Sequence, residues 1–182
     1  MTKVTTPLSC GAIKRLAVGD ALSISGVLYT ARDAAHKRLA EMAFRGEKMP
    51  FEFDGAAVYY VGPTPARPGA AIGSAGPTTS GRMDAYSPAL MALGLRVMIG
   101  KGSRNAEVKR AIIEHGGLYL AAVGGAAALI ARSVRSSEVI AFPDLGTEAI
   151  RRLAVENFPA TVAIDSAGRD IYEARRNQGG AK

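Results

Sequence analysis

The residues best suited to chemistry fall in three glycine-bearing segments. The richest is Gly73–Asp84, GSAGPTTSGRMD. Its glycines let the backbone approach a ligand closely. Thr78, Thr79 and Ser80 bring hydroxyls, and Arg82 brings a planar fork that matches a carboxylate or a phosphate. A helix opening after it adds free N–H groups and the positive end of its dipole, which together make an anion cradle. An N-cap would use the same residue types, but three hydroxyls and an arginine exceed what a cap needs. The second segment is Ile99–Ser103, IGKGS, in which Lys101 sits between glycines after an apolar run. It suits a phosphate or carboxylate, and equally a solvent-facing lysine in a tight turn. It is not a Walker A loop: five residues separate Gly94 from Gly100, and Gly102 follows the lysine where Ser or Thr is required. The third is Thr30–His36, TARDAAH. Asp33 is placed to favour a helix N-terminus, whereas Arg32 opposes that dipole end and calls for an anion, either Asp33 or a ligand. His36, one turn on, fits a structural role better than a catalytic one. Gly124–Gly125 is a weak signal for close packing or a cleft floor, and Glu148 in GTEA suits the first turn of a helix better than catalysis.

This inventory is basic and hydroxylic. It suits a small polyanion such as a dicarboxylate. It lacks a paired acid and base, a metal-ligand cluster and a Ser-His-Asp set, so the chain reads as half of a shared active site.

The elements that must position these groups follow from periodicity. Residues 1–17 read as a lead-in. Gly19–Thr30 alternates as a strand with a bulge at Gly26, and Arg32–Arg45 follows at helical period until Gly46. Ala56–Val61 reads as a buried strand, and Thr64–Gly81 has loop chemistry. Met83–Leu93 reads as a helix weakened by Pro88, Leu95–Ile99 as a strand, Asn105–His115 as a helix, and Leu118–Val123 as a strand before an Ala-rich helix. Strand, glycine and helix recur at 95–102, 118–125 and 139–147, so 147–156 is expected to be helical. The tail from residue 174 reads as loose. The expected fold is one α/β domain over 1–182 with a partly antiparallel or barrel-like portion and its glycine turns gathered at one edge.

Composition excludes several classes. The 182 residues are 48% hydrophobic and 21% charged, which is globular rather than disordered. Cys10 is alone, so neither an internal disulfide nor a cluster held by this chain's thiolates is available. The net charge of +7 comes from dispersed Lys and Arg, including Arg104–Arg110, read chiefly as solvated helix faces. Tryptophan is absent and aromatics are 6%, which argues against a nucleic-acid platform. The apolar stretch Leu118–Ala131 is shorter than the about 20 residues of a membrane span. No secretory signal is evident, and the expected location is cytoplasmic.

TARDAAH, GPTTSGRMDAY, IGKGSRN, HGGLYLAAVGGAAAL, FPDLGTEAI and FPATVAIDSAGRDIY, in that order from Gly19 to Tyr172, resemble the β-type part of class I iron–sulfur fumarate hydratases and L-tartrate dehydratases. The resemblance implies a swivelling β/β/α domain that serves either as the C-terminal part of a long chain or as a separate small subunit. It implies an α-type partner whose cysteines hold a [4Fe–4S] cluster, in an αβ heterodimer or a dimer of heterodimers; Cys10 precedes the matched region and would not be a ligand. It further implies that Arg32, Arg82, Lys101 and Thr79 hold the substrate and that Thr78 transfers a proton. The implied reaction is the tricarboxylic acid cycle hydration of fumarate to L-malate. L-tartrate and mesaconate are the neighbouring substrates, and a non-catalytic small-anion-binding module is the competing class.

Overall fold

The structure, a computed structural model, describes residues 1–122 and 127–173. Gly124–Gly125 and the tail from residue 174 lie outside the described residues. Five strands run parallel: β1 (Thr2–Thr6), β2 (Ala21–Thr30), β3 (Ala57–Tyr59), β4 (Val97–Gly100) and β5 (Leu118–Ala121). Two run antiparallel to their neighbours: β6 (Val134–Ala141) and β7 (Ile150–Ile164). The helices are α1 (Cys10–Lys14), α2 (Asp33–Phe44), α3 (Ser87–Ala92), α4 (Ala106–His115) and α5 (Ala127–Arg132). The chain is an α/β protein, and its described residues form a seven-stranded sheet ordered β1-β2-β3-β4-β5-β7-β6.

The expected barrel-like portion is present. Besides pairing with β5, β7 pairs with β2 from Tyr29–Arg152 to Ala21–Thr161. Strands β2, β3, β4, β5 and β7 therefore close into a ring. Strand alternation then gives the ring two faces. Leu22, Ile24, Leu28, Tyr59, Ile99, Leu120, Leu153 and Phe158 share the interior. Val58, Tyr60, Met98 and Tyr119 point the other way and pack under α2, α3 and α4 through Leu39, Leu90, Met91, Val108 and Ile112. The bulge falls where the alternation placed it: the β2–β7 register shifts between Ile24 and Gly26. Gly26 has φ +108° there, and a Cβ would stand 2.4 Å from the Thr6 carbonyl oxygen.

Three expectations are corrected. The lead-in is structured, because β1 extends the sheet beside β2 and Ile13 is fully buried. Residues 83–93 are not one helix. A 3-10 turn at Ser80–Met83 precedes α3, and Pro88 sits in the first turn of α3, where a missing N–H is harmless. Residues 147–156 are not helical either. A 3-10 turn over Pro143–Glu148 leads into the 15-residue strand β7. Its alternation is masked in sequence by the polar pairs Arg151–Arg152 and Glu156–Asn157. Pairing with β2 and β6 and burial of Ile150, Leu153, Val155 and Phe158 outweigh helical propensity. Among the described residues no helix is long and apolar enough to cross a membrane.

Candidate active site

The C-terminal ends of the parallel strands β2, β3 and β4 lie side by side at one end of the ring. Each of the three predicted segments leaves the sheet here. After β2 the chain stays beside β3 for one more bond, Ala31 N–H to Tyr59 O at 3.2 Å. It then enters α2 with Arg32 as an extended N-cap whose side chain makes no capping bond. The guanidinium packs against Gly62, just beyond β3, where a Cβ would lie 2.8 Å from Arg32 Cζ.

The long loop after β3 is drawn back to the same edge. The buried Tyr59 hydroxyl donates to Ala75 O at 2.5 Å, and burial pushes its pKa up, so it remains a donor. Thr78 N–H donates to Tyr60 O at 2.7 Å. Residues 78–80 then run alongside the end of β4. Lys101 N–H donates to Thr78 O at 3.3 Å, Ser80 N–H donates to Lys101 O at 2.8 Å, and Thr79 and Lys101 form a parallel bridge. Gly100 is required for this approach, since a Cβ there would stand 2.0 Å from Ser80 Oγ. The structure therefore brings Arg32, Thr78, Thr79, Arg82 and Lys101 to one edge of the sheet.

The edge is open and cationic. Arg82 is 56% exposed and Lys101 is exposed, whereas Thr78 is buried. Among the described residues Thr78 Oγ1 makes no hydrogen bond and Lys101 no ion pair. Two carboxylates answer the arginines. Arg82 Nε donates to Asp33 Oδ1 at 2.8 Å, and Arg32 Nη2 lies 3.1 Å from Glu148 Oε1. The anion that Arg32 called for is thus Glu148 rather than Asp33. The other Glu148 oxygen accepts the Ala34 N–H at 2.7 Å, so Glu148 caps α2 instead of a helix of its own.

Beneath the edge lies a buried polar layer that the sequence did not single out. Tyr119 Oη lies 2.9 Å from Ser80 Oγ and 2.8 Å from Gly102 O, which links the Ser80 loop to the Lys101 loop. Burial raises the Tyr119 pKa and keeps it protonated. Arg104 is buried, not on a solvated face. It bonds Asp84 Oδ1 at 2.6 Å and Ser87 Oγ at 2.7 Å, with Tyr60 and Tyr119 rings 5.4 and 5.1 Å from its guanidinium carbon. Nothing in the spacing of residues 84 and 104 announced their pairing. His36 is fully buried against Tyr60, with its ring 4.9 Å away and edge-on, as a structural histidine should be.

A family model described as Fumarase C-terminus matches residues 2–175, which includes the N-terminal strand as well as the motif-bearing stretch. The chain belongs to this family. The chain is similar to an Escherichia coli protein named fumarate hydratase class I, aerobic, at 42% identity over 158 residues, or 86% of this chain and 29% of that one. It is 41% identical to a Leishmania major protein named fumarate hydratase 2, covering 85% of this chain and 28% of that one. It is 40% identical to a Methanocaldococcus jannaschii protein provisionally named L(+)-tartrate dehydratase subunit beta, covering 88% of this chain and 86% of that one. This fumarase C-terminus chain therefore spans less than a third of the two fumarate hydratases and most of the archaeal protein.

The chain's own donors do not fit an iron–sulfur cluster. Such clusters take several cysteine thiolates, and the chain has one cysteine, Cys10, which is exposed on α1. Among the described residues no three His, Cys, Asp or Glu side chains gather as a metal site.

Proposed function

We propose that this chain is the β subunit of a two-subunit cytoplasmic hydro-lyase that interconverts fumarate and L-malate. The observation that carries the reading is the convergence of two guanidinium forks, one ammonium and an unbonded threonine hydroxyl on one open edge. Arg32 and Arg82 supply charge-assisted donors that fix the two carboxylates of a small diacid. Lys101, beside Thr79, holds the substrate's remaining oxygen. Charge that builds on a carboxylate as the carbon beside it loses a proton is offset by the same donors. Thr78 moves that proton. A threonine hydroxyl is a poor base at its free pKa, and the neighbouring Arg82 and Lys101 charges favour its ionised form.

Among the described residues the carboxylates at the edge, Asp33 and Glu148, are engaged by Arg82, Arg32 and Ala34 N–H, so the second acid–base group is assigned to an α-type partner. That partner is also where a [4Fe–4S] cluster belongs in this reading, because the donors here exclude it. The partner and this chain would assemble as an αβ heterodimer or a pair of them. The archaeal relative of matching length supports a separate subunit and favours L-tartrate as the second substrate reading. Replacing Arg82 with Ala in the reconstituted complex is expected to abolish turnover with the subunits still assembled. Unchanged turnover would refute the assignment.

A further inference from the structure

The first turn of α2 does more than carry Arg32. Arg32 is its N-cap and Asp33 its first residue. Asp33 Oδ1 takes Arg82 Nε at 2.8 Å, from a loop 49 residues away. Glu148, 114 residues from Ala34, is delivered to the same turn from the end of the 3-10 turn that precedes β7. Its arrival is fixed by Thr30, whose buried hydroxyl donates to Ala149 O at 3.2 Å and accepts Arg151 N–H at 2.9 Å. Glu148 then takes Ala34 N–H with one oxygen and faces Arg32 Nη2 with the other.

The way each arginine is held matters. Arg82 is gripped at Nε, which leaves both terminal nitrogens for a carboxylate end-on. Arg32 is gripped at a single terminal nitrogen, and its buried Nε has no partner. Asp33 Oδ2 is likewise buried and unpartnered. These pairs are partly exposed, so their contribution to stability is small. Their consequence is orientation: an acid on one corner of each fork fixes its plane and leaves the rest available.

We propose that Glu148 and Asp33 are positioning residues, which anchor the Arg32 and Arg82 forks to the first turn of α2 and so set the affinity for the dicarboxylate. This rests on the reading of both arginines as carboxylate ligands. A further consequence is that the helix dipole favours both acids where they stand, and their charges offset the unfavourable placement of Arg32.

Two variants test it, Glu148→Gln and Asp33→Ala. Glu148→Gln retains an oxygen acceptor that still caps Ala34 N–H, so a residue that served only as a cap would behave as wild type. In the full chain assembled with its α-type partner, each variant is expected to raise KM about tenfold with kcat within about threefold, the signature of lost carboxylate binding. A second readout needs neither partner nor substrate. In the full chain alone, nitrogen–proton NMR should show the Arg82 Nε–H exchanging with solvent about tenfold more slowly than an unpaired arginine, and Asp33→Ala, which leaves no acceptor, should remove that protection. Wild-type KM values in both variants would overturn the positioning role, as would an unprotected Arg82 signal in the wild type. If the wild-type complex turned over no dicarboxylate, the functional reading would fall, and the NMR comparison would still decide the anchor at Arg82.

Discussion

Arg104 Nε donates to Asp84 Oδ1 at 2.6 Å, with the guanidinium wholly removed from solvent. Asp84 spends its other oxygen on Asn105 N–H at 2.8 Å, at the N-cap of α4. One ion pair therefore joins the Arg82 loop to the Lys101 loop below the candidate site. Asp84→Ala leaves a buried guanidinium uncompensated and is expected to cost about 3–5 kcal/mol. Asp84→Ala with Arg104→Met should recover part of that loss. Urea denaturation of the three chains measures both, and an Asp84→Ala chain as stable as wild type would contradict the pairing.

His36 gives a pH signature. Burial lowers its pKa to about 4, with Arg104 adding to the effect and the Arg32 carbonyl opposing it. Between about 4 and the ordinary value of 6.5 the unfolded chain binds the proton that the folded chain refuses. Stability therefore rises with pH through this window. It is fully present above about 6.5 and is lost as the pH falls toward 4. The expected contribution is about 3 kcal/mol across the window. His36→Gln should flatten the difference in unfolding free energy between pH 7.5 and 4.5, and an unchanged difference would contradict a neutral buried imidazole.

Two glycines separate positioning from stability. At Gly62 an added Cβ meets the Arg32 guanidinium at 2.8 Å, which can swing away, and the Thr147 carbonyl oxygen at 3.1 Å, which needs to give only slightly. Gly62→Ala should keep the fold and weaken dicarboxylate binding about tenfold by displacing the fork. At Gly100 the added Cβ meets Ser80 Oγ at 2.0 Å and the Tyr60 ring at 3.0 Å, both buried. Gly100→Ala should cost about 1–3 kcal/mol of stability as well as activity. Unfolding midpoints and KM values for the pair distinguish the two outcomes.

The sequence was most legible where one local signal sufficed. Gly26 marked a bulge because only glycine tolerates its φ, and α4 announced itself by its helical period and the Gly116–Gly117 pair that ends it. The C-terminal edge of β2, β3 and β4 was legible because glycine, hydroxyl and cation types accumulate there. Strand β7 was not, because its polar residues sit at i, i+1 pairs that erase the period-two pattern, and its identity is settled by partners far away in sequence. The same holds for Glu148. Its carboxylate reads as a first-turn acid of a following helix, but its target is a helix begun over a hundred residues earlier. Arg104 was read with the surface charges because nothing local distinguishes a buried arginine with a distant aspartate from an exposed one. The roles proposed for Arg32, Thr78, Thr79, Arg82 and Lys101 rest on family resemblance, and their proximity is what the fold adds.

The most direct measurement is anaerobic fumarate consumption by this chain mixed with a cluster-loaded α-type subunit, with each subunit alone as control. Turnover is expected only in the mixture and is expected to vanish with Arg82→Ala. Turnover by the α-type subunit alone at the rate of the mixture, or an intact complex inert toward fumarate, would contradict the assignment of this chain as the substrate-binding half of a fumarate hydratase.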